Sequence, residues 1–163
     1  MRNCNITIMG DNNTLLIENG VSMTEGRIVI CDSNNSVFIG SNTTFNKNVV
    51  LDCMEGRKLT IGEKCLFSAD IVVRTGDWHS IYDTNGKRIN HSKDVMIGNH
   101  CWIGDRVSIT KGGSLADGTV VGTGAIVTEK VEEINTVIAG NPAHILKNNI
   151  QWDAARTNEI QTH

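Results

Sequence analysis

Apolar residues recur at every sixth position along much of the chain. From Ile97 onward the sequence divides into IGNHCW, IGDRVS, ITKGGS, LADGTV, VGTGAI and VTEKVE, and every block opens with an aliphatic residue. Self-similarity at a fixed period is typical of a solenoid, in which stacked repeats share one continuous core. The pattern therefore predicts an all-β chain of stacked coils rather than a conventional globule.

The same spacing continues upstream, with longer steps at regular intervals. The upstream openings are Ile17, Met23, Val29, Ile39, Phe45, Leu51, Ile61, Phe67 and Val73. The steps 29–39, 51–61 and 127–137 span ten residues, and the step 73–97 spans twenty-four. With three blocks per coil, all the extra residues fall at one corner, between the third side and the next coil's first side. We expect about five triangular coils, stacked about 4.8 Å apart, with Ile, Val and Leu side chains inside.

The fourth residue of each block is predicted to lie at a corner of the coil. Corners often need a positive φ, which Gly, Asn and Asp adopt at the least cost. Ten of the fifteen residues at this position are of these types: Gly20, Gly26, Asp32, Asn42, Asn48, Met54, Lys64, Asp70, Gly76, His100, Arg106, Gly112, Gly118, Gly124 and Lys130. Arg27 stands at the next position, where a small or apolar side chain is expected, so the first coil fits less well.

The two ends of such a stack must be capped. We expect a β-helix domain over residues 1–143, with an irregular start over residues 1–16, and a tail over residues 144–163. In the tail, a short helix is predicted to carry four apolar residues: Ile145, Leu146, Ile150 and Trp152.

Composition and charge narrow the class of protein. The net charge of −3 offers no broad electrostatic footprint for nucleic acid, and no apolar run approaches the roughly 18 residues of a membrane span. The first ten residues lack the layout of a signal peptide. The five cysteines are odd in number and form no CxxC pair, which favours reduced thiols in a cytoplasmic protein.

The largest interruption of the repeat, at about residues 75–93, reads TGDWHSIYDTNGKRINHSK. Long excursions from a rigid scaffold are where functional sites tend to lie. Because a histidine can act as a general base near neutral pH, His79 is a candidate catalytic residue. On its position alone, a solvated loop histidine is the simpler interpretation.

Two motifs tie the sequence to a known family. The run IGNHCWIGDRVSITKGGSLADGTVVGTGAIVT, followed by VIAGNPA, resembles the active half of the left-handed β-helix, or hexapeptide-repeat, acetyltransferases. The similarity spans roughly residues 37–147. It is greatest to the sugar O-acetyltransferases, which include enzymes that modify maltose and galactosides. Among these, the capsular polysialic acid O-acetyltransferases are the most similar. The left-handed sense of the coil is implied by this resemblance and not by the periodicity.

The resemblance implies an acetyl-CoA-dependent O-acetyltransferase that transfers the acetyl group directly to a sugar hydroxyl. His79, in DWHS, corresponds to the family's general base, and Trp102, in CWIG, corresponds to a tryptophan bordering the acceptor and acetyl group. The implied acceptor contacts are Trp78, Arg88 and Asn46. The implied coenzyme A contacts are Asp105 (main chain), Thr123, Gly124, Ala125, Thr128, Pro142, His144 and Lys147.

The family further implies a homotrimer with active sites between subunits, and no metal. Among acceptors, the mildly basic excursion favours an anionic glycan such as polysialic acid, and a neutral sugar or a xenobiotic hydroxyl or amine stays open. A γ-type carbonic anhydrase shares the fold, but His79, His91 and His100 do not give its His-x4-His zinc spacing. A non-catalytic β-helix would serve as an assembly module and would not bind coenzyme A.

Overall fold

The computed structural model describes residues 1–155, and this part of the chain is all β with no helix. The strands are β1 (Cys4–Ile8), β2 (Thr14–Ile17), β3 (Ser22–Met23), β4 (Gly26–Ile30), β5 (Ser36–Ile39), β6 (Thr44–Cys53), β7 (Lys58–Ile61), β8 (Leu66–Arg74), β9 (Val95–Ile97), β10 (Trp102–Ile103), β11 (Ser108–Ile109), β12 (Ser114–Leu115), β13 (Val120–Val121), β14 (Ile126–Val127), β15 (Lys130–Val131), β16 (Val137–Gly140) and β17 (Ala143–Lys147).

The strands stack into three parallel ladders, which are the sides of a parallel β-helix of about six turns. Side 1 holds β2, β5, β7, β9, β12 and β15. Side 2 holds β3, the first halves of β6 and β8, and then β10, β13 and β16; side 3 holds β1, β4, the second halves of β6 and β8, and then β11 and β14. The predicted three-sided coil is confirmed. We name the corners 1–2, 2–3 and 3–1 after the sides they join.

The core is a column of inward residues, one from each side of each coil. Phe45 and Phe67 pair in register on side 2, with ring centroids 4.6 Å apart, and both are fully buried. Leu51 pairs in the same way with Val73 on side 3. Burying an aliphatic or aromatic side chain of this size contributes roughly 1.5–3 kcal/mol. The apolar six-residue repeat is therefore what holds the coils together.

In the first coil the predicted inward residue is wrong by one position. Ile28, and not Val29, pairs with Leu51 and lies in the core, whereas Val29 pairs with Asp52 and is only half-buried. Gly26 is then the small corner residue, because it pairs with Val49. The misfit predicted at Arg27 arises because Met23 on side 2 and Ile28 on side 3 are five residues apart, one fewer than Phe45 and Leu51 on the next coil.

The last coil also departs from the prediction. Val131 pairs with Leu115 on side 1, only four residues after Val127, and Ile138 pairs with Val121 on side 2. The inward residue is thus Ile138 rather than Val137. The step from 127 to 137 is not a fourth insertion at corner 3–1, because a shortened side 1 lies within it.

Eleven of the fifteen predicted corner residues have a positive φ. Lys64, His100 and Arg106 adopt it although they are neither Gly, Asn nor Asp. Stacking of one corner on the next holds them there, since the N–H of Lys64 donates to Ser41 and that of Arg106 to Ala69. The exceptions are Gly26, Met54, Gly76 and Lys130.

Both ends differ from the expected caps. At the start, β1 is a regular parallel strand of side 3 that pairs with β4. At the other end the predicted helix is wrong: β17 turns back and pairs antiparallel with β16. Beyond it, Trp152 stacks on His100. The predicted tail also includes residues 156–163, which lie outside the described residues.

Within residues 1–155, no helix is long and apolar enough to cross a membrane.

Candidate active site

The excursion at residues 75–93 leaves the β-helix at corner 3–1 and is fastened to the coils on both sides of it. The guanidinium of Arg88 donates to Glu55 at 2.6 Å, on the coil before the excursion. Lys111, on the coil after it, forms an ion pair with Asp77. The excursion is therefore mounted on the rigid scaffold at two points.

The buried amide of Asn90 organises the interior of the excursion. Its Nδ2 donates to Asp77 Oδ2 at 2.9 Å and to the His79 carbonyl at 2.8 Å. Its Oδ1 accepts from the Ile81 N–H at 2.7 Å and from Arg88 Nε at 3.3 Å. One side chain thus joins the two ends of the DWHSI segment.

Trp78 and His79 lie on the outer part of this segment. The Trp78 indole donates to Asp52 Oδ2 at 3.3 Å, and its backbone has a φ of 65°. Asp52 is fully buried on side 3, with Arg27 at 4.0 Å and Arg74 at 3.8 Å. His79 is exposed. The scaffold therefore fixes the backbone around His79 while its imidazole faces solvent.

The ion pairs of the excursion set the charge states of its two anchoring carboxyl groups. Burial alone would raise the pKa of Asp77, but hydrogen bonds from Lys111 and Asn90 outweigh burial and lower the pKa below its usual value. The hydrogen bond from Arg88 lowers the pKa of Glu55 in the same way. Both carboxylates are therefore charged at neutral pH, and both attachments of the excursion are in place there.

A second group of predicted residues lies along corner 2–3. In register, Asn46, Ser68, Gly104 and Gly122 stack on one another, so Asn46 and Gly122 are three coils or about 14 Å apart. Trp102, on side 2, donates from its indole N–H to Ser68 Oγ at 3.3 Å. The tryptophan is 39% exposed, so its ring borders this edge beside Ser68.

The upper part of the same edge holds three of the predicted coenzyme A contacts. Thr123 follows Gly122 and is exposed, and Asp105 lies at the equivalent place one coil below, where its carbonyl accepts from Gly124 at 2.8 Å. A Cβ atom built on Gly124 would meet nothing within 4 Å. This edge leads up to Pro142, at the turn between β16 and β17.

The remaining predicted contacts are more scattered. His144 and Lys147 lie exposed on β17, in the hairpin that ends this edge. Ala125 is buried with its methyl group in the core, and both its N–H and its carbonyl are hydrogen-bonded within the chain. Thr128 follows β14 at the opposite edge of side 3. Arg88 is engaged with Glu55, which competes with the acceptor contact predicted for it.

Within one chain, the structure places the two predicted catalytic residues on different parts of the surface. His79 belongs to the excursion at corner 3–1, whereas Trp102 lies on side 2 beside corner 2–3. A cleft of about 160 Å³ on side 3 lies between these corners, lined by Val72, Arg74, Ser108, Ile109 and Thr110. Within one chain, the predicted base His79 and the edge of corner 2–3 are therefore separated by a full side of the coil.

Sequence reasoning did not single out the residues that hold the site together. Lys111 and Asp52 are far from DWHS in sequence, 34 and 26 residues from their partners in that motif. Asn90 is only 11 residues from His79, but nothing in the residue pattern distinguishes it from the other polar residues of the excursion. Ser68 could have been found, because the six-residue register puts it directly between Asn46 and Gly104.

Cys53, Cys65 and Cys101 belong to the core of the β-helix. Cys65 and Cys101 are buried on neighbouring coils, and the Cys101 N–H lies 3.4 Å from the Cys65 sulfur. Hydrogen bonding to Cys65, together with burial, raises the pKa of the Cys101 thiol, so it is protonated at neutral pH. All five cysteines are free. Among residues 1–155, no three His, Cys, Asp or Glu side chains are grouped so as to hold a metal ion.

The structure matches the crystal structure of the polySia-specific acetyltransferase NeuO. The TM-score is 0.72 and the sequences are 32% identical, over 99% of this chain and 83% of that one. The chain belongs to the hexapeptide-repeat acetyltransferase family. Its coils accordingly match the left-handed β-helix of these acetyltransferases, and the handedness implied by the CWIG and GNPA motifs is confirmed.

Other acetyltransferases of this kind match over shorter stretches. A polysialic acid O-acetyltransferase from Escherichia coli O1:K1 / APEC is 40% identical over 92 residues, which cover 56% of this chain but 29% of that protein's length. A galactoside acetyltransferase in complex with coenzyme A matches with a TM-score of 0.55 and 25% identity, over 88% of this chain and 65% of that one. No protein-family model matches the chain.

Proposed function

We propose that the protein is an acetyl-CoA-dependent O-acetyltransferase that acts on a hydroxyl group of a sugar or capsular glycan. The observation that carries this proposal is the rigidly mounted excursion, which presents an exposed His79 from a fixed backbone. Corner 2–3 supplies a complementary edge, with the exposed residues Asn46, Trp102 and Thr123 along it. The relatives named above are acetyltransferases, and one of them was solved with coenzyme A.

The residues of corner 2–3 fit a thin thioester-bearing arm. Gly124 leaves open space where a side chain would project, so the arm can lie close to the backbone. Above it, the hairpin offers Lys147 and His144 for phosphate groups. Both are weaker partners for phosphate than arginine, because neither presents a bidentate fork.

His79 acts as the general base in direct transfer. Its neutral imidazole takes the proton of the acceptor hydroxyl as that oxygen bonds to the thioester carbonyl carbon. A backbone N–H donates to the oxyanion that forms. The carbon–sulfur bond then breaks, and the imidazolium returns the proton to the departing sulfur. Binding both substrates on one edge supplies the proximity that this step needs.

The acceptor class follows from the relatives and from the charge of the excursion. Polysialic acid is the acceptor that the names of the similar proteins favour. Arg88 and Lys111 are both paired with carboxylates, so the exposed positive charge of the excursion comes from Lys87 and Lys93. These two amines suit an anionic polymer that is held loosely along the surface.

The active site is completed between subunits of a homotrimer. His79 and Trp102 are separated by side 3 within one chain, and a three-fold arrangement would bring the excursion of one subunit to corner 2–3 of the next. We place the protein in the cytoplasm, because Cys65 and Cys101 are adjacent yet free, as expected of a reducing compartment.

Replacement of His79 tests the proposal. His79→Ala should lower kcat by roughly 10²–10⁴-fold, the usual contribution of a general base, while acetyl-CoA binding measured by calorimetry is unchanged. His91→Ala is the matched control, since it removes an exposed histidine of the same excursion and should retain full activity. Acetyl transfer is followed with labelled acetyl-CoA and three acceptors: polysialic acid, a neutral oligosaccharide and an antibiotic hydroxyl.

Each outcome of this experiment is decisive. Retained turnover in His79→Ala would contradict the assignment of the base. A wild-type protein that does not bind acetyl-CoA would instead favour a non-catalytic assembly module. Preference for the neutral sugar or the antibiotic would contradict polysialic acid as the acceptor, but it would still support acetyl transfer as the reaction.

A further inference from the structure

Asn90 satisfies every hydrogen-bonding group of its side chain within the excursion. The amide has two N–H donors and two acceptor lone pairs, and these four positions are taken by Asp77, the His79 carbonyl, the Ile81 N–H and Arg88. The residue is 6% exposed. A buried amide with a full set of partners is worth more than a surface contact, because losing one partner leaves a buried polar group unpaired.

These contacts restrict the backbone on both sides of His79. Asp77 is fixed before the histidine and Ile81 after it, and the carbonyl of His79 itself is held. The imidazole is then free to turn only about its own two side-chain bonds.

The Asn90 network is also tied to the scaffold. Lys111 pairs with Asp77 and donates to the Asn90 carbonyl at 3.3 Å, so the coil above holds one partner of the amide and the backbone of Asn90 itself. From the coil below, Asp52 accepts from the Trp78 indole. The backbone of His79 is therefore attached to two coils of the β-helix, through the side chains of Asn90, Lys111 and Asp52.

We propose that Asn90 is a positioning residue that sets the place of His79 for proton transfer, and that only an amide can do this. An aspartate has the same shape but only accepts hydrogen bonds when ionised, so it would lose both bonds made by Nδ2 and would face Asp77 with a like charge. The inference rests on the proposed role of His79 as the base. It adds a residue that does not itself touch the acceptor or the thioester.

The test compares Asn90→Asp and Asn90→Ala with Asn85→Asp. Asn85 lies exposed at the tip of the same excursion, so its variant makes the same chemical change away from the Asn90 network. Both Asn90 variants should lower kcat by about 10–100-fold, the scale of a misplacement of about 1 Å. Acetyl-CoA affinity and its KM should stay within twofold of wild type, and Asn85→Asp should retain full kcat.

The pH profile separates positioning from a merely structural role. In Asn90→Asp the acidic limb of kcat/KM should move to higher pH, because a new carboxylate facing the His79 carbonyl adds negative charge beside that residue and favours the protonated form of its imidazole. In Asn90→Ala kcat should fall without that displacement. Thermal unfolding and acetyl-CoA binding of each variant are measured alongside.

Three results would overturn the inference. If Asn90→Asp keeps the kcat and pH profile of Asn85→Asp while His79→Ala is inactive, Asn90 does not position the base and the proposed function stands. If the Asn90 variants lose folding and acetyl-CoA binding together, the residue holds the fold and not the base. If His79→Ala is fully active, the proposed base fails first, and the inference fails with it.

Discussion

At the scale of single residues, the corners show how backbone conformation and function can share one position. Gly124 and Arg106 occupy equivalent corners on neighbouring coils, with φ of 73° and 57°. The conformation therefore does not require glycine at this place. What distinguishes Gly124 is the empty space beside it, on the edge where we propose that acetyl-CoA lies.

Gly124→Asn tests that edge. Asparagine tolerates positive φ, so the free energy of unfolding should change by less than about 1 kcal/mol. The new side chain would project onto the edge and should weaken acetyl-CoA binding by about tenfold, which corresponds to 1.4 kcal/mol. Calorimetric titration gives the dissociation constant.

Gly86→Asn is the matched control for this substitution. Gly86 also has a positive φ, of 79°, and open space beside it, but it lies in the turn of the excursion. Equal acetyl-CoA affinity in both variants, with folding intact, would remove Gly124 from the binding edge.

At the scale of elements, the segment after β17 returns along the coils and docks at corner 1–2. The Trp152 indole donates to the His100 carbonyl at 2.8 Å, and His100 Nε2 lies 3.1 Å from the Trp152 carbonyl. The two rings stack with centroids 4.3 Å apart, and Trp102 lies 5.9 Å away. The segment after the hairpin therefore also covers part of the β-helix surface. It lies beside Trp102, the residue predicted to border the acceptor.

Trp152→Ala should reduce the free energy of unfolding by roughly 2 kcal/mol, because it removes a hydrogen bond and an aromatic stack. Trp152→Phe keeps the ring and loses the indole N–H, so its loss should be about half as large. Urea denaturation followed by circular dichroism measures both. An alanine variant with the wild-type midpoint would show that the docked segment does not stabilise the coils.

At the scale of the whole molecule, stability depends on a narrow core that contains several neutral thiols. Burial raises the pKa of Cys53 to about 11, and Cys31 is shifted upward as well, mainly by burial. When the pKa of a thiol is higher in the folded state than in the unfolded chain, the unfolded chain loses its proton first as the pH rises. The free energy of unfolding should therefore fall at alkaline pH.

For Cys53 this contribution should be complete below about pH 8.5, the ordinary thiol value in an unfolded chain, and should be lost as the pH rises towards about 11. Urea midpoints of wild type, Cys53→Ala and Cys4→Ala are compared from pH 7 to 10.5. Cys53→Ala should decline less steeply than wild type over this range. Cys4→Ala, which removes a half-exposed thiol, should follow wild type; parallel curves for all three proteins would contradict the role of Cys53.

The three-sided coil of this protein follows from the six-residue repeat alone. A repeat of six residues points Phe45, Leu51 and Phe67 into the core. This direction does not depend on distant contacts, because it follows from local chain geometry. The same reasoning located the excursion at corner 3–1 and the corner positions, including those where Lys64 and His100 adopt a positive φ.

Three features depend on contacts between coils: which residues of the two end coils point inward, the conformation of the tail, and the hydrogen-bond partners of the excursion. Ile28 and Ile138 are inward because their coils pair with Leu51 and Val121, and the six-residue pattern does not reveal coils whose steps between inward residues depart from six. Asn90 is important because the fold of the excursion brings Asp77 and the His79 carbonyl to its amide, and that fold is held by Lys111 and Glu55 from two different coils. Such contacts depend on three-dimensional closure, and the spacing of residue types along the chain does not encode them.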